Sequence, residues 1–206
     1  MSHTLYAQIA DALVEDGYII LKDALDEKLS QKLLQFAKTS KLFRPAGISS
    51  RKQIHKDKRR DKILWLDEDS GAQGEFLLFC NDLREFLNRE LFLGLTYFEA
   101  HFALYERGDF YETHVDAFKN SKNRVVTVVY YLNEAWEEAH AGELILYDEA
   151  LQPLAKVAPH ANTLAIFLSE KFPHEVVATN DKRYSVAGWF RVDIREGIPI
   201  VLESLA

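Results

Sequence analysis

The chain has 206 residues, 48% of them hydrophobic, a single cysteine and a formal net charge of −7. That length supports one hydrophobic core and calls for no second, so residues 1–206 are read as one domain. The acidic balance argues against bulk electrostatic binding of nucleic acid or anionic membrane, and one cysteine rules out an intramolecular disulfide and a Cys-based zinc site.

In chain order, "TLYAQIADALVED" has helical periodicity, "GYIILKDAL" reads as a short strand, and "DEKLSQKLLQFAKTS" repeats Leu29, Leu33, Leu34 and Phe36 at near-helical spacing, with Asp26 placed to cap it. The N-terminus carries acids where a signal peptide would carry a basic run. No stretch approaches the roughly 18 apolar residues of a membrane span, so a cytoplasmic protein is expected. From residue 41 to 60 periodicity dissolves into "KLFRPAGISSRKQIHKDKRR", read as a flexible basic loop over residues 43–60. It lacks the interleaved aromatics that stack on bases, which disfavours nucleic acid; a lid over a polypeptide and a plain solvated loop both stand.

"KILWL" then reads as a strand and "EFLLFCNDLREFLNREL" as an amphipathic helix with Cys80 as a small core hydrophobe. After Thr96 short runs follow one another with turns and no helices between them: "YFEAHFALY", "NRVVTVVYYLN", "GELILYD", "NTLAIFLS", "HEVVAT" and "RYSVAGWFRVDI". Such a series predicts an antiparallel sandwich or barrel. The expected fold is α+β with a mainly β core: a jelly roll over residues 96–195, with a helical N-terminal layer over residues 1–95.

In a strand, residues two apart share a face, so His114 and Asp116 of "YETHVDAF" can reach one ion. An open mononuclear iron(II) site takes two imidazoles and one carboxylate on one face of the metal. Of the other histidines, His3 lies in a terminus, His55 in the basic loop, His140 and His160 in polar turns, and His101 inside a strand pattern as a hydrogen-bonded sheet residue. His174, in "FPHEVV", opens a strand, and Arg183 follows it at the start of "RYSVAGWF". A dicarboxylate that chelates iron at one end needs a fixed cation at the other, and a guanidinium supplies a bidentate fork. Strand parity groups Arg183, Ser185, Ala187 and Trp189 on one face, and Val125, Thr127, Val129 and Tyr131 on another.

Taken in order, "YERGDFYETHVD", "NRVVTVVYYLNEAWEEAHAGELILY", "FPHEVV" and "KRYSVAGWF" resemble the iron(II) and 2-oxoglutarate dependent oxygenases of the prolyl 4-hydroxylase group. "RRDKILWLDE" is similar to a stretch of the EGL-nine, or prolyl hydroxylase domain, enzymes that act on hypoxia-inducible factor. The resemblance implies a double-stranded β-helix, cupin-like, with His114, Asp116 and His174 as iron ligands and Arg183 holding the far carboxylate of 2-oxoglutarate. It implies that Tyr131 bonds that carboxylate, that Tyr105 lies near the chelating end, that Thr127, Val129, Leu144 and Val176 line the pocket, and that Trp189 flanks the metal. It also pairs Asp61 with Arg124, an ion pair that would hold the preceding loop over the substrate cleft.

The activity implied is hydroxylation of a prolyl residue in a polypeptide, a translation component such as elongation factor Tu among the candidates. Iron(II), 2-oxoglutarate and O2 would be consumed or held, with L-ascorbate as reductant. Two other readings stand beside it: an oxygenase of a small molecule or free amino acid, and a silent module that binds 2-oxoglutarate or metal without turnover. Two departures from the family pattern stand out: Ala141-Gly142 replaces a Gly-Gly, and Arg60 replaces a glycine before Asp61.

Overall fold

The computed structural model describes residues 2–47, 58–68, 71–116 and 123–193. Three helices occur at the expected places: α1 (Ser2–Glu15), α2 (Glu27–Thr39) and α3 (Gly71–Leu91). The Asp26 carboxylate accepts from the Lys28 amide at 2.8 Å and caps α2. In α3 the buried residues Phe76, Cys80, Leu83 and Leu87 recur every three or four positions, which makes one helix face apolar. Burial pushes the Cys80 thiol well above its ordinary range, in keeping with a packing residue.

The strands are β1 (Tyr18–Leu21), β2 (Arg44–Pro45), β3 (Lys62–Trp65), β4 (Tyr97–Tyr105), β5 (Tyr111–His114), β6 (Arg124–Tyr131), β7 (Leu144–Tyr147), β8 (Pro153–Val157), β9 (Leu164–Leu168), β10 (His174–Val176) and β11 (Arg183–Arg191). They form a seven-stranded sheet, ordered β1-β9-β6-β11-β4-β3-β2, and a four-stranded sheet, ordered β5-β10-β7-β8. Alternation along β6 separates two cores. Val126, Val128 and Tyr130 point to the helices, where Phe76 stacks on Tyr130 at 5.4 Å between ring centroids. Val129 and Tyr131 point the other way, into a cluster that also holds Leu144 and Leu146 of β7, Val157 of β8 and Val176 of β10. The two sheets thus face each other, as in a double-stranded β-helix.

Three expectations need correction, and one strand, β8, is not among the expected runs. The N-terminal layer is not separate from the β core, since its strands β1, β2 and β3 extend the larger sheet on both sides. Part of the 43–60 stretch is ordered: β2 pairs with β3, Arg59 bridges Tyr111, and Glu112 N donates to Lys58 O at 2.9 Å. The rest of that loop, residues 48–57, lies outside the described residues, as do residues 194 and 195 of the expected core. β8 escapes a pattern reading because it opens on proline, which an edge strand accommodates at its first residue. Val125 does not share the face of Thr127. The β6–β11 register jumps from Phe190↔Val126 to Arg191↔Arg124, a bulge that sends Val125 toward the helix-side core and swings Arg124 toward the inner face.

Candidate metal centre and cosubstrate cavity

β5 and β10 pair antiparallel with His114 directly opposite His174. That register brings together two residues far apart in sequence, and Asp116 follows His114 by two. His174 and Asp116 are almost wholly buried. Asp116 Oδ1 lies 3.7 Å from His114 Nε2, and Oδ2 lies 3.5 Å from His174 Nε2. The potential donor atoms of the three residues all fall within 4.8 Å of one another.

Each imidazole has its tautomer set by the backbone. His114 Nδ1 donates to Glu112 O at 2.8 Å and His174 Nδ1 to Phe172 O at 3.0 Å, because a carbonyl only accepts. That leaves both Nε2 atoms to offer lone pairs on the side of Asp116. Burial and the neighbouring His174 push the His114 pKa well down and keep that ring neutral. Burial opposes ionisation of Asp116, but the positive charge gathered beside it, which Arg124 carries when both rings are neutral, outweighs it and holds the group below the usual carboxylate range. Two imidazoles and one carboxylate on one side of a cavity are the donor set suited to iron(II) with open positions.

At the other end of the cavity, β11 pairs with β4 so that Arg183 faces Tyr105. The Arg183 guanidinium is buried, donates from Nε to Gly142 O at 2.7 Å and from Nη1 to Ser185 Oγ at 3.2 Å, and has no carboxylate within salt-bridge distance among the described residues. Its central carbon lies 4.8 Å from the Tyr105 ring centroid and 5.1 Å from that of Tyr131. The Tyr131 hydroxyl is buried without a well-aligned hydrogen-bond partner among the described residues, and burial, opposed by Arg183, pushes its pKa up to about 12. It is thus a neutral donor beside a cation without a counter-charge, a combination that fits an anionic end of a ligand.

Tyr105, Thr127, Val129, Leu144, Val176 and Trp189 line the same cavity as the three candidate ligands and Arg183. Tyr131 sits just behind this wall. The cavity also takes in Ala103, Ser185 and Ala187, and His101, which a sequence reading leaves as an ordinary sheet residue. Gly142 supports this end of the cavity as well. Its φ is +81°, and a Cβ there would come within 3.1 Å of Arg183 Cδ. Ala141 before it takes φ 51° and ψ −151°, a backbone region that favours glycine, so the departure from Gly-Gly leaves a strained alanine at this turn.

The expected pair of Asp61 with Arg124 is replaced by two others. Asp61, 1% exposed, accepts two hydrogen bonds from Arg59, one of them from Nη2 at 2.8 Å. Arg59 lies over the Tyr111 ring, and Tyr111 stacks on His114 at 3.6 Å. Arg124, turned inward by the bulge, lies 3.6 Å over the Trp189 ring and reaches Glu99 at 3.6 Å and Asp116 at 3.9 Å. A nearer arginine two residues away outcompetes one from another strand, and only the fold shows which neighbour wins.

The sequence pattern of the 2OG-Fe(II) oxygenase superfamily matches residues 100–191. Human prolyl hydroxylase EGLN3 is 31% identical over 201 residues, a match that covers 88% of this chain and 81% of that protein. Human Egl nine homolog 1 is 28% identical over 196 residues; the match covers 88% of this chain but 45% of that protein, so the chain spans about half of that relative. Among solved structures, a Pseudomonas putida prolyl-4-hydroxylase is 33% identical with a TM-score of 0.82, covering 91% of this chain and 99% of the other. A Trichoplax adhaerens prolyl hydroxylase, solved in complex with a hypoxia inducible factor oxygen degradation domain peptide fragment, is 27% identical with a TM-score of 0.83, covering 92% and 90%.

Proposed function

Because the chain belongs to the 2OG-Fe(II) oxygenase superfamily, within its prolyl hydroxylase group, we propose that it hydroxylates a prolyl residue of a polypeptide in the cytoplasm. The observation that carries this reading is the placement of His114, Asp116 and His174 at one end of a cavity whose other end holds a buried Arg183 with no acidic partner among the described residues. The superfamily uses iron(II), 2-oxoglutarate and O2, and the bound set supplies the oxidising power that turns a C–H bond into C–OH, with succinate and CO2 as co-products.

The chain's own residues do the rest. His114, Asp116 and His174 would hold the metal, the imidazoles being fixed by their carbonyl partners. Arg183 would receive the distal carboxylate of 2-oxoglutarate with Tyr131 donating to it, and Tyr105, whose ring lies 4.8 Å from the Arg183 guanidinium carbon, would flank the cosubstrate. Thr127, Val129, Leu144 and Val176 shape the wall and keep water out. Trp189, under Arg124, forms the side of the cavity next to Asp116.

A polypeptide target is supported by the relatives that share this fold, one of which was solved with a peptide bound. A translation component such as elongation factor Tu is the first target to test, with L-ascorbate as reductant. No helix among the described residues is long and apolar enough to cross a membrane. The test is to incubate the protein with iron(II), 2-oxoglutarate, O2, ascorbate and lysate polypeptides, and to map modified peptides by mass spectrometry. One added oxygen on a proline, coupled to succinate, is expected. Succinate formed with oxygen only on a free amino acid or another small molecule would overturn the polypeptide reading, and binding of 2-oxoglutarate without succinate would overturn the enzyme.

A further inference from the structure

Asp116 also meets a chain of two hydroxyls that the ligand set does not explain. Thr127 Oγ1 is 2.8 Å from Asp116 Oδ2 and also 2.8 Å from Ser169 Oγ. The direction of both bonds follows from proton counting. A hydroxyl has one proton and an ionised carboxylate has none to give, so Thr127 donates to Asp116 and Ser169 must donate to Thr127. Ser169 is fully buried, and Thr127 and Asp116 are 2% and 5% exposed, so bulk water does not compete for these bonds.

The backbone builds this pair into the sheet. Thr127 comes from β6 and Ser169 from just beyond β9, and the two strands pair with Val126 opposite Leu168. Ser169 N donates to Val125 O at 3.0 Å, at the bulge that also turns Arg124 inward. Ser169 is therefore anchored by its backbone while its hydroxyl points at Thr127.

We propose that Ser169 and Thr127 form a positioning relay that engages Oδ2 of Asp116, with Arg124 Nη1 3.9 Å from Oδ1, and so would bias the carboxylate to hold a metal through one oxygen. The proposal rests on the reading of His114, Asp116 and His174 as the metal site. A carboxylate can bind a metal with both oxygens, which consumes a position needed for cosubstrate or O2. A hydroxyl polarised by a second one behind it competes for one of those oxygens, and hydrogen-bond chains in a buried, low-dielectric setting strengthen one another. Partners of this kind orient metal-binding side chains and raise metal affinity.

The relay is tested without turnover, by measuring the manganese(II) dissociation constant with electron paramagnetic resonance in the absence of 2-oxoglutarate and O2. Thr127→Val keeps the shape and removes the proton; Thr127→Ser keeps the proton and removes a buried methyl. We expect Thr127→Val to bind manganese about 10- to 100-fold more weakly, Ser169→Ala to lose less, and Thr127→Ser to stay within about threefold of wild type. A packing role alone gives the opposite order, with Thr127→Ser the worse variant. Wild-type affinity in both Thr127→Val and Ser169→Ala overturns the relay. His174→Ala separates the two levels: if it too binds manganese normally, the triad reading itself is wrong, whereas if it loses the metal while the relay variants keep it, only the relay fails.

Discussion

Arg183 carries the cosubstrate reading because burying a guanidinium with no acid beside it among the described residues is costly, and two neutral acceptors offset only part of that cost. Arg183→Lys keeps the charge but loses the fork. At roughly 1.5–3 kcal/mol for a hydrogen bond to a charged group, the KM for 2-oxoglutarate should rise about 10- to 150-fold, while iron affinity measured separately stays unchanged. An unaltered KM would remove Arg183 from the pocket. His174→Ala should do the reverse and abolish iron binding while the apoprotein stays folded; equal iron affinity would sink the triad. Gly142 adds a third point at this scale. Its φ of +81° and the 3.0 Å approach of Thr179 to any Cβ placed there leave no comfortable room for a side chain. Gly142→Ala should cost about 1–3 kcal/mol in urea unfolding and weaken 2-oxoglutarate binding through the displaced Arg183 side chain.

Periodicity carries the elements further than it carries their pairing. The α3 face, the Asp26 cap and the alternation in β6 and β11 are legible because each is set by residues a few positions apart. The pairing of His114 with His174 is not a local property: the sequence offers two strands, and only the closed sheet decides their register. The same holds for the β6 bulge, where one extra residue reverses the parity of Val125 and Arg124, and for Asp61, whose partner is chosen by distance across the fold. Resemblance supplied the candidate ligand set and the role proposed for Arg183, whereas the Asp61–Arg124 pair it carried over is not the pairing the fold forms. The helical layer can be tested through its contact with the sheet. Phe76 is fully buried and stacked on Tyr130, so Phe76→Ala should lower unfolding free energy by about 3–5 kcal/mol in urea denaturation, far more than truncation of the exposed Leu78 on the same helix.

The whole molecule also stores a proton-linked stability in His101. Its ring is buried between Trp65 and Trp189, at 5.3 and 5.5 Å between centroids, and its Nδ1 donates to Phe102 O at 3.1 Å. Burial first, then Arg59, outweigh Asp61 and lower its pKa to about 4 from an ordinary 6.5. In the folded protein the ring is thus neutral where the unfolded chain already takes up a proton. The sign follows: the contribution is fully present above pH 6.5 and is lost as pH falls toward the folded value. At 1.36 kcal/mol per pKa unit it amounts to about 3 kcal/mol, of which about 2 kcal/mol is gone by pH 5. His101→Gln, neutral at every pH, should therefore show a shallower fall in urea-derived stability between pH 7 and pH 5 than wild type, by about that 2 kcal/mol. Parallel curves for the two proteins would mean that His101 titrates normally and that the cavity floor between Trp65 and Trp189 is open to water. A shallower curve would place a dry, uncharged wall beside Trp189, as a cavity that must exclude water from an oxidising centre requires.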